Sequence, residues 1–129
     1  MSTEAQYKIL IIEDDAPIRT MYELKLKNSG FLVQSAHDGD VGLVNAKTFM
    51  PDLILLDLKL PTINGDVMLE KLRQTDWGAN MRVVILTNIS KDEAPQSLRV
   101  LGVDRYIVKA HHTPAQIVDI VRDILAIKH

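Results

Sequence analysis

Four β-prone runs in this chain stop on polar side chains. Ile9-Leu10-Ile11-Ile12 runs into Glu13-Asp14-Asp15, and Leu53-Ile54-Leu55-Leu56 runs into Asp57. Val83-Val84-Ile85-Leu86 meets Thr87, and Tyr106-Ile107-Val108 meets Lys109. As parallel strands of one sheet, the four runs would set their ends along a single rim. That rim would gather carboxylates, a hydroxyl and an ammonium, a set suited to one divalent cation and one phosphoryl group. Acids at strand ends keep part of their hydration, which acids in mid-strand would lose. Two like charges about 4 Å apart still repel by roughly 4 kcal/mol at an effective dielectric of 20. The cluster therefore calls for a proton, a cation or the Lys109 ammonium. Oxygen donors in an incomplete protein shell favour Mg²⁺, which retains several waters; Mn²⁺ is the second candidate.

Each residue taken alone has an ordinary explanation. Glu13-Asp14-Asp15 could be a helix cap and a hydrated strand end, and Asp57 could open a turn. Thr87 could be a plain β-branched strand residue and Lys109 a surface lysine. Their joint placement, one at each strand end, is what favours a site.

The elements that must position these residues alternate, as in an α/β domain with a parallel sheet. Strands are predicted over Lys8 to Ile12, Phe31 to Ala36, Leu53 to Leu56, Arg82 to Leu86 and Arg105 to Val108. A helix is predicted from about Ala16 to Asn28, with Asp15 as N-cap, Pro17 in its first turn and Gly30 as its stop. The next, about Gly39 to Thr48, is weakly written because Gly42 sits inside it. A third follows the loop from Lys59 through Pro61 to Gly65 and runs to about Gln74. The fourth ends near Leu101, but its start is ambiguous. Ser90 and Glu93 form a capping-box pattern, while Pro95 lacks the amide that this register needs, so a start at Pro95 is equally reasonable. Thr113 and Pro114 open the last helix, whose buried stripe is Ile117, Ile120, Val121, Ile124 and Leu125.

Length and composition agree with one domain. The 129 residues are 47% hydrophobic and 25% charged, with a net charge of −2, typical of a globular protein with its own core. The charge gives no reason to expect direct nucleic-acid binding. The absence of cysteine excludes disulfides and thiolate sites. Residues 1–7 read as a short polar tail unlike a signal peptide, 8–129 as the domain, and no run is long enough to span a membrane. The default location is the cytoplasm. No output domain is expected after Lys128.

With these residues in place, the chain resembles the receiver domain of two-component response regulators from about Tyr7 to Ile127. The resemblance rests on Ile12-Glu13-Asp14, on Asp52 to Asp57 with Pro61 and Gly65 after it, on Leu86-Thr87, and on Asp104 to Lys109. It implies a flavodoxin-like doubly wound parallel sheet of five strand–helix units, with strand order 2-1-3-4-5. It also implies roles. Asp57 would accept a phosphoryl group from a phosphohistidine donor. Glu13, Asp14, Asp57 and the backbone carbonyl of Lys59 would hold Mg²⁺. Thr87 and Lys109 would bind the phosphoryl oxygens, Tyr106 would be the switch aromatic, and Pro61 and Gly65 would shape the loop. The implied partners are a sensor histidine kinase or phosphotransfer protein and a downstream protein. That protein would be met through the fourth helix, last strand and last helix, by a monomer or a phosphorylation-linked dimer. Such a domain assists its own phosphorylation and dephosphorylation but turns over no external substrate.

The sequence departs from the family's pattern at two places. Ala110 follows Lys109 where proline is common. A non-proline cis bond costs about 3 kcal/mol, so a trans Lys109–Ala110 peptide is expected. Asn88 follows Thr87 where a small residue is common, and its bulk is expected to narrow the donor's entrance. Two other readings fit these residues less well. A phosphoaspartate hydrolase usually needs a second acid two residues after its nucleophile, and Lys59 stands there. A fixed binding module independent of phosphate would not need Glu13, Asp14, Asp57, Thr87 and Lys109 together. His111-His112 reads as loop solvation and Trp77 as a packing cover or partner contact.

Overall fold

The computed structural model describes residues 6–127. Residues 1–5 of the tail expected over 1–7 lie outside the described residues. Five strands, β1 (Lys8–Ile12), β2 (Leu32–Ala36), β3 (Leu53–Leu56), β4 (Arg82–Thr87) and β5 (Arg105–Val108), alternate with five helices. These are α1 (Ala16–Asn28), α2 (Gly39–Phe49), α3 (Gly65–Arg73), α4 (Leu98–Leu101) and α5 (Pro114–Ile124). All pairings are parallel and the order is β2-β1-β3-β4-β5, the flavodoxin-like arrangement expected from the sequence.

The strand pleat sorts the core into two halves. Ile9, Ile11, Leu53, Leu55, Val84, Leu86 and Ile107 face α1 and α5, where Tyr22, Leu26, Ile117, Val118 and Val121 meet them. Leu10, Ile12, Ile54, Leu56, Val83 and Ile85 face α2, α3 and α4. A central strand covered on both faces must be apolar at every position, and β3 is buried throughout. β2 lies at the edge and starts one residue later than expected, with Phe31 buried just before it.

Capping follows the side-chain chemistry. Asp15 accepts from the Ile18 amide at 3.0 Å to open α1, and Thr113 with Gln116 forms a full capping box on α5. The glycine that weakens α2 on paper has a packing reason. A Cβ on Gly42 would sit 2.6 Å from Ile12 Cδ1, so any larger residue there would have to displace the buried Ile12 side chain or push α2 away from β1.

The fourth helix is shorter than either expected register. A 3₁₀ turn, Lys91–Glu93, precedes it, and α4 is the single turn Leu98–Leu101. Ser90 Oγ donates to Glu93 Oε1 at 3.0 Å instead of capping a backbone amide, so the capping box does not form. Pro95 lies between the two turns and can supply no amide to join them. Arg73 secures the far end of α4. Its Nε donates to Leu101 O at 2.6 Å, and its other two nitrogens to Gly102 O at 2.7 Å and Gly78 O at 2.9 Å. Trp77 is half-buried against the α3 side of the core, a packing cover. Among the described residues no peptide bond is cis, so Lys109–Ala110 is trans and leads into a 3₁₀ turn, Lys109–His111. No helix among the described residues is long and apolar enough to cross a membrane.

Candidate functional site

Strand register sets the site's layout before any side chain is considered. Ile12 pairs with Leu56, Leu56 with Ile85, and Thr87 with Val108. Glu13 and Asp57 therefore stand level, Thr87 is one residue farther out, and Lys109 two. At about 3.3 Å per residue, Lys109 must reach back toward the sheet to meet the acids. Its four-carbon stem allows this. The ammonium donates to Asp57 Oδ2 at 2.7 Å and also to Glu13 Oε1.

Burial makes this pairing matter. Glu13 is 3% exposed, Asp57 7% and Thr87 1%, so little water reaches the two acids. Burial raises the Glu13 carboxyl above its ordinary range, and the Lys109 contact offsets only part of that. Burial by itself would lower Lys109, but its hydrogen bonds to Asp57 and Glu13 outweigh it, and the ammonium is held above its usual value. Asp14 stands exposed at the mouth. Ligand oxygens from Glu13, Asp14 and Asp57 all lie within 4.8 Å of one another. An all-oxygen set of this kind, open to solvent on one side, fits a hard divalent cation that keeps several waters.

A cavity of about 520 Å³ opens over the acids. Glu13, Asp14, Asp57, Lys59, Thr87, Asn88 and Lys109 all line it. Lys59 is exposed, and its backbone N–H points at Asp57 Oδ1 at 3.4 Å. The Thr87 hydroxyl accepts weakly from the Ile89 amide at 3.4 Å. Asn88 is exposed at the rim.

The other three sequence candidates sit around this cavity and do not line it. Tyr106 is half-buried on the α4 side, where its hydroxyl donates to Ile89 O at 2.6 Å. Burial raises its phenol, with the Asp57 charge adding to the shift. Pro61 is exposed, and its carbonyl accepts from the Ile63 amide at 2.9 Å. Gly65 is fixed by close approach, since a Cβ there would lie 2.1 Å from Asp57 O. Its amide donates to Leu58 O at 2.8 Å, which draws the start of α3 under the loop.

Other participants escaped the sequence reading. Ile18 and Leu60 also line the cavity, beside Asp15 of the acidic run, but ordinary apolar residues carry no signal for this. Arg19 donates to Glu13 O at 2.9 Å; a basic residue one turn into α1 looks like any surface arginine. Thr62 holds φ 66° in the loop between Asp57 and α3, which nothing in its residue type announces.

Comparison with known proteins agrees with this geometry. The chain matches the response regulator receiver domain family over residues 9–122. It is 35% identical over 102 residues to the DNA-binding dual master transcriptional regulator RpaA of Synechocystis sp., covering 79% of this chain and 42% of that protein. The chain thus spans less than half the length of such curated relatives. Among solved structures, a CheY-like receiver domain protein from Methanospirillum hungatei JF-1 superposes with a TM-score of 0.86 at 26% identity, over 95% of each chain. The phosphorylated cyanobacterial phytochrome response regulator RcpA superposes with a TM-score of 0.78 at 27% identity, over 93% of this chain and 91% of that one. Fold, acidic rim and family match coincide along almost the whole described chain, which belongs to the response regulator receiver domain family.

Proposed function

We propose that the chain is a phosphoacceptor receiver of two-component or phosphorelay signalling, working in the cytoplasm, in which Asp57 takes a phosphoryl group from a phosphohistidine donor. The observation that carries this reading is the Lys109–Asp57 contact of 2.7 Å inside the acid-lined cavity. In the transfer, an Asp57 carboxylate oxygen forms a bond to phosphorus while the P–N bond to the donor imidazole breaks, the imidazole nitrogen leaving with the electron pair. Phosphoryl transfer needs positioning and charge neutralisation more than covalent help.

This chain's residues supply both. Lys109 already faces the Asp57 carboxylate and needs only a small shift to pair with a phosphoryl oxygen. Thr87, whose hydroxyl has only a weak contact with the Ile89 amide, is free to donate to another. Glu13, Asp14, Asp57 and the Lys59 carbonyl are the candidate holders of Mg²⁺ or Mn²⁺. When bound, the ion orients the phosphoryl oxygens and neutralises their charge. Buried Leu58 and Leu60 beside the acid limit water around Asp57. The new phosphate adds negative charge and strong acceptors. Satisfying them draws the Thr87 and Lys109 loops together, biasing the face formed by α4, β5 and α5, where Tyr106 sits. The readout is contact with a downstream protein, and no external substrate is turned over.

The test is incubation with Mg²⁺ and acetyl phosphate followed by intact-mass measurement. Wild type should gain one phosphoryl adduct and Asp57→Asn none. Adducts on both proteins would place the acceptor elsewhere, and adducts on neither would favour a fixed binding module.

A further inference from the structure

The two front acids differ in how they are held. Glu13 is buried and tied down through its side chain, which accepts from the Asp15 amide at 3.1 Å and from Lys109. Asp14 is exposed, so the path of its backbone decides where its carboxylate points. Besides the Asp15 amide bond, Arg19 anchors that backbone from the protein side. Arg19 Nη1 donates to Glu13 O at 2.9 Å and approaches Asp14 O at 3.4 Å. The guanidinium is steadied by Glu23, one turn along α1, at 3.9 Å. The remaining anchors of this loop act on its flanks. The Glu13 amide donates to Ala36 O at 3.0 Å, and Asp15 O accepts from the Arg19 amide at 2.9 Å.

From this we infer that Arg19 is a positioning residue for cation binding: through the carbonyls of Glu13 and Asp14 it holds the β1–α1 loop so that both carboxylates converge on the position facing Asp57. Arg19 touches neither the carboxylates nor the ion position. It acts as hydrogen-bonded outer partners of metal ligands do, by removing alternative orientations from the ligands. A planar fork with several donors suits this task, since one guanidinium can address two adjacent carbonyls. The inference rests on the divalent-cation reading of the site.

Calorimetric titration with Mg²⁺ alone, on wild type, Arg19→Ala and Arg19→Gln, tests it, with melting in EDTA as the folding control. Both variants should bind Mg²⁺ about 10-fold more weakly than wild type. A purely structural role for Arg19 lowers the melting temperature in EDTA and leaves the affinity of the folded protein unchanged; that result overturns the inference while wild-type binding upholds the cation site. If Arg19→Ala does not fold, Arg19→Gln at wild-type affinity overturns the inference in the same way. Wild type that takes up no Mg²⁺ removes the cation reading and the inference with it.

Discussion

The Lys109 ammonium donates to Asp57 Oδ2 at 2.7 Å across the end of β4, joining the tips of two strands that do not pair with each other. With its second contact to Glu13, the ammonium bridges the two buried acids. Lys109 thus supplies these acids with a counter-charge from the chain itself, and stability depends on how that charge is shared.

Glu13 gives the pH dependence. Its carboxyl is raised above 4.5, chiefly by burial, so the folded chain holds that proton more tightly than the unfolded chain does. The stability contributed by Glu13 is complete below its ordinary value and is lost as pH rises through the folded one. At neutral pH the ionised group is therefore a cost. In EDTA, Glu13→Gln should raise the melting temperature at about pH 7.5, and the gain should fade as pH falls toward 4.5. Saturating Mg²⁺ should reverse the order, since ligand binding stabilises whichever protein binds it better. A gain that persists unchanged in acid would contradict this account.

Thr62 stores backbone strain. Its φ of 66° lies in the left-handed region, which costs a side chain with a branched Cβ about 1–2 kcal/mol. Its hydroxyl donates to Pro61 O at 2.6 Å, a partial compensation. Thr62→Gly relieves the strain and gives back about 0.5–1 kcal/mol in unfolded-chain entropy. The net expectation is a gain of up to about 1 kcal/mol, read as a higher urea midpoint at unchanged slope. A lower midpoint would show the hydroxyl contacts to be worth more than the strain.

Tyr106 ties β5 to the segment before α4 through its bond to Ile89 O. Tyr106→Phe removes that donor at about 0.5–1.5 kcal/mol and should speed amide exchange over residues 88–94 more than in α1. Equal protection in the two proteins would mean that the bond does not hold the segment.

Asn88 stands exposed at the rim of the cavity beside Thr87. Asn88→Ala should widen the approach to Asp57 and increase the rate of phosphorylation by acetyl phosphate, without changing the melting temperature. An unchanged rate would remove Asn88 from donor access.

Most of this fold was legible because strand burial leaves a strong compositional trace. Leu53–Leu56, apolar at every position, reads as a covered strand, and its bounds came out as read. The polar residue after each run marked the rim, and five of the site's side chains followed from that pattern. The shortness of α4 was not legible. Its end at Leu101 came out as read but its start at Leu98 did not, and the Arg73 bonds that secure its far end reach carbonyls 28 and 29 residues away. Contacts at such separation leave no periodicity to read. Arg19 was hidden for a different reason: it acts on backbone carbonyls, which every residue has.

The alternation of the pleat has one more effect. Glu13, Asp57 and Lys109 share side-chain parity with the layer packed on α1 and α5, while Thr87 and Tyr106 share parity with the layer on α2, α3 and α4. The ion-paired side chains and those of Thr87 and Tyr106 thus leave one sheet toward opposite faces, with the strand backbone as the partition.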